Sequence, residues 1–280
     1  MANQFGGEWT EIKIRVFKKY LYAYMQIMKG KSWKLIYFDG FAGSGDIQTR
    51  KETEEVIEGT ARHVLSFDEP RKFDFYYFVE KDIDNAQLLQ RIINKEYPAL
   101  TDKTVVAGGD DCNQKLKDMA GFLKSSKGKK YKGIAFIDPY GMQVKWDALD
   151  ALKGLGVDLW ILVPTGIGIN RLLKKKEKSG QVWFETLGNF FGLESKEIED
   201  RFYYEDPQMN LFGERKFKKI ENAVEAAAIL YQERLKTIFK HVSDPLPLRN
   251  STNAVLFHFM AASNVPVAVK IANDIIKKEK

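Results

Sequence analysis

The 280-residue chain is 44% hydrophobic and 13% aromatic, which is enough to bury one large core or two smaller ones. Its one cysteine, Cys112, excludes an internal disulfide and a cysteine zinc cluster, and no stretch approaches the roughly 20 apolar residues of a membrane span. A formal charge of +6 favours a polyanionic partner, and the composition predicts a soluble, cytoplasmic protein.

The N-terminal part of the chain carries a helical repeat. Apolar residues at Ile14, Phe17, Leu21 and Met25 follow the i, i+3, i+4, i+7 pattern of an amphipathic helix. This spacing predicts a helix over residues 10–29, ended by Gly30.

Short apolar runs then alternate with helical stretches. The runs are typical of strands that are buried on both faces, and helices separate most of them. The predicted strands cover residues 34–40, 74–80, 103–110, 133–141 and 158–166, and the clearest helices cover 85–97 and 113–124. The pattern predicts a doubly wound α/β fold with a mostly parallel Rossmann-like sheet.

The second half of the chain has a different character. Residues from about 166 to 240 are helical, charged and aromatic, and indicate an insertion after the fifth strand, with a loop at 203–214. Two C-terminal strands at 237–250 and 253–264 and a short helix complete the prediction. Because no linker interrupts the chain, we expect one domain over residues 1–280.

The first strand ends in a glycine-rich turn, "YFDGFAGSGD", that three kinds of ligand would suit. A phosphate-binding P-loop needs a lysine directly after Gly45, where Asp46 and Ile47 stand instead. A dinucleotide site needs a third glycine, which is absent here. The acidic residue that binds the ribose in such a site comes about 20 residues after the glycines, which is earlier in the chain than Glu80. S-adenosylmethionine carries no phosphate, so an acidic residue beside this turn is compatible with it.

Acidic residues end three successive strands and fit the parts of S-adenosylmethionine. Asp39 would attract the methionine ammonium, Glu80 the ribose hydroxyls, and Asp110 or Asp111 the adenine amine. The alternatives are that Asp39 or Asp110 caps a helix and that Glu80 only leads an acidic helix start. The predicted cofactor-binding residues are Asp39, Gly40, Phe41, Gly43, Gly45, Glu80, Asp110 and Asp111.

The fourth strand ends in "FIDPYG", which predicts the catalytic residues. This segment resembles the Asp-Pro-Pro-Tyr motif of methyltransferases that act on base amines, and still more the Asp-Pro-Phe-Gly or Asp-Pro-Tyr-Gly of tRNA guanine N2 methyltransferases. Asp138 and the carbonyl of Pro139 would accept hydrogens from the amine, and Tyr140 would stack on an extruded base. The alternative is an ordinary turn with proline at its second position.

Positive charge is clustered in three segments, at 124–132, 171–178 and 215–219. The clusters predict contact with RNA or DNA, and the alternative is that they are solvated surfaces. The candidate nucleic-acid contacts are Lys174, Lys175, Lys176, Arg215 and Lys216. The three histidines are far apart in sequence and predict no metal site.

Nearly the whole chain resembles the three-Cys-motif partner family of bacterial proteins, in the right order of motifs. The resemblance rests on "WTEIKIRVFKKYLYAYMQIM", "IYFDGFAGSG", "YFVEKD", "AFIDPYGM", "SDPLPLRN" and "LFHFMAAS". It implies a class I methyltransferase-like fold and a partner protein with a three-cysteine motif. The family's motifs fall on Asp39, Phe41, Gly43, Gly45, Glu80, Asp138, Pro139 and Tyr140.

Two functional hypotheses follow. The first is an S-adenosylmethionine-dependent methyltransferase acting on an exocyclic amine of a nucleic-acid base. The second is a non-catalytic partner with a methyltransferase fold, acting with a three-Cys-motif protein. The motif at Asp138 has one proline rather than two, and its aromatic residue comes one position earlier than in Asp-Pro-Pro-Tyr, which leaves the acceptor base open.

Overall fold

A computed structural model describes residues 7–48, 56–173, 180–209 and 215–279. The strands are β1 Lys34–Asp39, β2 Asp46–Gln48, β3 Val56–Glu58, β4 Phe75–Glu80, β5 Thr104–Gly108, β6 Tyr131–Ile137, β7 Val157–Val163, β8 Tyr203–Met209, β9 Arg215–Lys219, β10 His241–Val242, β11 Leu246–Arg249 and β12 Val255–Ser263. The α-helices are α1 Glu8–Met28, α2 Thr60–Leu65, α3 Ile83–Glu96, α4 Cys112–Lys124, α5 Trp146–Asp150, α6 Asn170–Leu173, α7 Gly180–Phe191, α8 Ser195–Phe202, α9 Ala223–Leu235 and α10 Pro266–Ile276.

The central sheet has the order β10-β12-β7-β6-β1-β4-β5, and β11 also pairs with β12. Strands β1, β4, β5, β6 and β7 are parallel, whereas β12 runs antiparallel to its neighbours β7, β10 and β11. The predicted doubly wound, mostly parallel Rossmann-like sheet with a C-terminal strand pair is therefore confirmed. The chain leaves β1 toward β4 on one side and β6 lies on the other, so the topological switch point is at β1.

Each face of the sheet is covered by its own hydrophobic cluster. Residues of α1, α2, α3 and α10 pack on one face, and residues of α4, α5, α7, α8 and α9 pack on the other. This burial on both faces explains why the strands are continuous apolar runs, as in β7, where all seven residues are buried.

The insertion differs from its prediction at the expected loop. Residues 203–209 are strand β8, which pairs antiparallel with β9, so the predicted loop at 203–214 is wrong over its first part. The ladder shifts register between Glu205 and Met209, and this irregularity accommodates Pro207 within a strand. Phe190 and Phe191 of α7 belong to the cluster that covers β6 and β7, so the insertion packs on the core of the sheet.

The ends of the chain follow the predictions with local changes. Helix α1 begins two residues before the expected start and ends at Met28. The expected strand at 237–250 is divided into β10 and β11, with Asp244 and Pro245 between them. No helix in the described part of the chain combines the length and apolar character needed to cross a membrane.

Candidate active site

A crevice of about 800 Å³ opens at the carboxyl ends of the parallel strands, beside the switch point. Its volume lies within the roughly 300 to 1,000 Å³ typical of ligand sites. The predicted site residues that line it are Gly40, Phe41, Gly43, Glu80, Asp110, Asp111, Asp138 and Tyr140. Three predicted residues, Asp39, Gly45 and Pro139, are not part of the lining.

The turn after β1 is built on glycines for two different reasons. Gly43 and Gly45 have φ of +63° and +89°, a region that favours glycine, and a side chain at Gly43 would meet nothing within 4 Å. Gly40 is constrained by space, because a Cβ there would lie 2.5 Å from the Cys112 Sγ and 2.9 Å from the Ile137 Cδ1. The turn therefore leaves space beside the backbone at Gly43 and packs tightly against Cys112 and Ile137 at Gly40.

Glu80 joins this turn to the end of β4. Its Oε2 accepts a hydrogen bond from the Gly43 N–H at 2.8 Å, and its Oε1 accepts one from the Asp82 N–H at 2.8 Å. Asp82, rather than Glu80, caps α3 by accepting from the Asn85 N–H. Glu80 thus fixes the glycine turn while its side chain lines the crevice, and its predicted contact with ribose remains a prediction.

Asp39 lies beneath the crevice and is only 1% exposed. Its Oδ1 accepts from the Phe41 N–H and its Oδ2 accepts from the Tyr37 hydroxyl, both at 3.1 Å. Burial raises the pKa of Asp39 to about 7, although the hydrogen bonds from Phe41 and Tyr37 oppose this shift. The side chain shapes the turn from below, and its direct contact with a cofactor ammonium remains a prediction.

The two acids after β5 have different surroundings. The N-cap of α4 is Asp111, which accepts from the N–H groups of Asn113 and Gln114, and not Asp110, which the helix-capping alternative had named. Asp110 lies 3.3 Å from the Lys115 ammonium and is half-buried, whereas Asp111 is exposed. Burial and the neighbouring Asp111 raise the pKa of the Cys112 thiol, which argues against a thiolate nucleophile.

Asp138 is held by a residue that the sequence analysis missed. The Lys13 ammonium of α1 donates to the Asp138 Oδ2 in an ion pair, with the Lys13 side chain 5% exposed and the Asp138 side chain 22% exposed. Lys13 also lies 5.5 Å from the centre of the Trp9 ring. One signal was available: Lys13 lies on the buried stripe of α1, four residues before Phe17 and seven before Tyr20.

The loop after β6 is fastened to α4 by Asn113, a second missed residue. The Asn113 side chain donates to the Gln143 carbonyl at 2.9 Å and accepts from the Lys145 N–H at 2.7 Å. Pro139 is buried in this loop, whereas Tyr140 is 54% exposed at the rim of the crevice. The loop therefore presents an aromatic ring beside the partly exposed carboxylate of Asp138.

Some predictions cannot be placed. Lys174, Lys175 and Lys176 lie outside the described residues, and Arg215 and Lys216 are described only as backbone of β9. Over 7–48, 56–173, 180–209 and 215–279, no three His, Cys, Asp or Glu side chains are grouped as a metal site. His258 is buried, with its Nδ1 2.8 Å from the Thr165 hydroxyl.

No protein-family model matches the sequence, and no curated protein matches it either. Several solved structures are similar at low identity. Protein LPL1258 from Legionella pneumophila, of family DUF519, has a TM-score of 0.49 and 14% identity, with 99% of this chain and 93% of that chain covered. Spermidine synthase from Thermotoga maritima has a TM-score of 0.42 and 10% identity, with 94% and 62% covered.

The plantazolicin methyltransferase BpumL, in complex with a triazolic desmethylPZN analog and SAH, has a TM-score of 0.37 and 12% identity, with 91% of this chain and 86% of that chain covered. All three TM-scores are below 0.5. The assignment of the fold therefore rests on the strand order, and the description of the site rests on its own geometry.

Proposed function

We propose that this protein is an S-adenosylmethionine-dependent methyltransferase that acts on an exocyclic amine of a nucleic-acid base. One observation carries the proposal: the glycine turn, the acids that end β4 and β5, and the Asp138 and Tyr140 pair line a single crevice. The cofactor half and the acceptor half of the predicted site are thus adjacent.

The residues of the crevice fit this cofactor better than a phosphate-containing one. The space beside Gly43 would let a ligand approach the backbone closely. The carboxylates of Glu80 and Asp110 line the same crevice and suit the ribose hydroxyls and the adenine amine of the cofactor. Acidic side chains repel phosphates but suit a ligand with a positive sulfonium and ammonium. When bound, S-adenosylmethionine supplies an electrophilic methyl group.

Asp138 is suited to accept hydrogens from a base amine. The lone pair of such an amine is delocalised into the ring, and acceptors that hold its hydrogens help to localise it. The Asp138 carboxylate already accepts a hydrogen bond from the Lys13 ammonium, and accepting is also the role that it would play toward the amine. Alignment of the amine by Asp138 and the Pro139 carbonyl would provide much of the acceleration.

The rim of the crevice supports a nucleic-acid substrate. Tyr140 is exposed and offers a ring for stacking on an extruded base, and Lys81 and Lys145 also line the crevice. The same proposal includes contacts with phosphates by five basic residues, Lys174, Lys175, Lys176, Arg215 and Lys216. It also includes a partner protein that carries a three-cysteine motif.

Transfer of labelled methyl groups tests the proposal directly. Wild-type protein is incubated with tritiated S-adenosylmethionine and either RNA or DNA, and label in the nucleic acid is counted. Asp138→Asn should lower the rate by ~10² to 10³, the usual loss of one preorganised hydrogen bond to a transition state. The asparagine keeps an oxygen that can accept from Lys13, so the fold should persist.

Asp147→Asn is the matched control, because Asp147 is an exposed acid that pairs with Lys117 away from the crevice. Its transfer rate should equal that of the wild type. Cofactor binding without transfer to either nucleic acid, in the presence of a bound protein partner, would favour the non-catalytic hypothesis. Full activity of Asp138→Asn would overturn the assigned role of Asp138.

A further inference from the structure

The ion pair between Lys13 and Asp138 follows from the packing of α1 on β6. Phe17 comes four residues after Lys13 on the same face of α1, and its ring centre lies 4.5 Å from that of Phe136 in β6. Asp138 follows two residues after Phe136, on the same side of the chain. Because four helical residues and two strand residues both span about 6 to 7 Å, Lys13 lies beside Asp138 as Phe17 lies beside Phe136.

The Lys13 ammonium lies on the inner side of the Asp138 carboxylate. Asp138 lines the crevice and its side chain is 22% exposed, whereas Lys13 is 5% exposed and lies behind the crevice wall. The centre of the Trp9 ring is 5.5 Å from the ammonium, and Trp9 packs on Phe257 of β12. The ammonium is thus enclosed by protein and is connected to the crevice through Asp138.

The two oxygens of Asp138 have different surroundings. Oδ2 accepts from the Lys13 ammonium, and among the described residues no donor is bonded to Oδ1. The terminal torsion of an aspartate is broad, so a free carboxylate turns easily. Fixing Oδ2 therefore also fixes the position of Oδ1, the oxygen that is left for a ligand in the crevice.

Stability alone does not explain a lysine at this position. Lys13 lies on the buried stripe of α1, beside apolar residues such as Ile14 and Phe17. Burial of an ammonium is costly, and replacement of a buried ion pair by apolar residues is often neutral or stabilising. A buried lysine here is useful if the carboxylate that it holds acts in the crevice.

We propose that Lys13 is a positioning residue for methyl transfer: it fixes Asp138 so that Oδ1 accepts a hydrogen of the base amine. This role rests on the proposed function. Lys13 does not touch the amine, and no proton moves between Lys13 and Asp138. An acceptor that is held in place before the substrate binds needs no reorganisation during the reaction.

Lys13→Met tests this role, because methionine has a similar length and no charge. The Asp138 carboxylate that remains is partly exposed and can be hydrated, so the variant should fold, as urea unfolding checks. We expect kcat for transfer of labelled methyl groups to fall by ~10², the usual loss when a reacting group is misplaced by ~1 Å. The KM for nucleic acid and the Kd of S-adenosylmethionine should stay close to the wild-type values, because Lys13 lies behind the crevice wall.

A double variant separates positioning from a general structural role. In Asp138→Asn, Lys13 would hold the amide oxygen, and the amide N–H₂ group that faces the crevice cannot accept from the amine. Adding Lys13→Met to Asp138→Asn should therefore cause no further fall in kcat. A lysine that only stabilised α1 would lower kcat by the same factor in both backgrounds.

Crystal structures of the wild type and of Lys13→Met, without cofactor, give a measurement that does not depend on activity. We expect the Asp138 carboxylate to change its orientation in the variant. Lys19→Met is the matched control, because Lys19 is also on α1 and pairs with Glu279 at 2.8 Å, away from the crevice. Its kcat and its Asp138 orientation should equal those of the wild type.

Failure of this role and failure of the proposed function give different results. A wild type that transfers no methyl group to RNA or DNA would overturn the proposed function, and the role of Lys13 with it. When the wild type is active, three results would overturn the role of Lys13 alone. They are a wild-type kcat in Lys13→Met, an equal fall in kcat in both backgrounds, and an unchanged Asp138 orientation in Lys13→Met.

Discussion

The two ends of the central sheet carry openings of different kinds. The crevice at the carboxyl ends is about 800 Å³, is lined by glycines and acids, and is built from turns. A second cavity, the amino-end cavity, lies where β6 and β7 begin; it is about 190 Å³, is mainly apolar, and is lined by residues of α1 and α10, of the sheet and of the segments before β7 and α10. In a parallel sheet the turns that follow the strands gather at the carboxyl edge, so polar recognition is concentrated there.

Both ends nevertheless contain a buried acid that accepts a hydrogen bond from a tyrosine. At the carboxyl end Asp39 is bonded to Tyr37, and at the amino end Asp158 is bonded to Tyr20. Burial raises the pKa of each acid. Helix α1 connects the two ends, since Lys13 reaches Asp138 and Tyr20 reaches Asp158. The difference is that the carboxyl end adds a buried lysine, Lys13.

The buried Lys13 gives the largest expected effect on stability. Asp138→Ala leaves its ammonium unpaired at 5% exposure, and breaking a buried pair in this way costs about 3 to 5 kcal/mol. The double variant Lys13→Met with Asp138→Ala removes both charges and should recover most of the loss. Urea unfolding measures the free energy of unfolding of each variant.

An exposed ion pair is the control for this prediction. Lys117 and Asp147 are 41% and 63% exposed, so Asp147→Ala should change the free energy of unfolding by only about 0 to 1 kcal/mol. If Asp138→Ala costs no more than Asp147→Ala, Lys13 is not a buried charge that depends on Asp138.

The sequence predicted the fold better than the contacts of the site. The parallel strands were visible because each is a local apolar run, and Asp138 and Glu80 were visible because they end such runs. The ion pair between Lys13 and Asp138 could not be predicted from the sequence, because 125 residues separate its partners. The β8 and β9 hairpin was missed because Pro207 and the acids beside it are typical of turns.

Glycines at the two ends provide a second and smaller contrast. Gly40→Ala would press a Cβ against the buried Cys112 and Ile137 side chains, and overpacking of this kind costs about 1 to 3 kcal/mol. Gly156→Ala at the amino end meets only the flexible Lys132 side chain, so we expect a change within about 0.5 kcal/mol.

Thermal and urea unfolding of both glycine variants check this difference. Adding Cys112→Ala to Gly40→Ala should recover part of the stability, because it removes the nearest clash. Equal losses at Gly40 and Gly156 would mean that the turn after β1 is no more tightly packed than the edge of the amino-end cavity.

The last expected effect is a slope of stability with pH that depends on Asp39. Its pKa rises from 3.8 in the unfolded chain to about 7 in the fold, so the folded state binds the proton more tightly. The contribution of Asp39 to the free energy of unfolding should therefore be highest below about pH 4, fall as the pH rises to about 7, and then level off. Asp39→Asn cannot ionise and should lack this component.

The measurement is the difference in free energy of unfolding between the wild type and Asp39→Asn, which should fall by at most about 1.4 kcal/mol per pH unit in that window. Asp74→Asn is the control, because hydrogen bonds from the Leu35 N–H and Lys34 outweigh burial and lower the pKa of Asp74. That carboxylate stabilises the fold above its unfolded pKa, and its contribution is lost only as the pH falls below about 4. A difference for Asp39→Asn that stays level from pH 4 to 7 would mean that Asp39 is solvated like a surface acid. The buried acid of the carboxyl end would then differ from Asp158, and the similarity between the two ends would be limited to their hydrogen bonds.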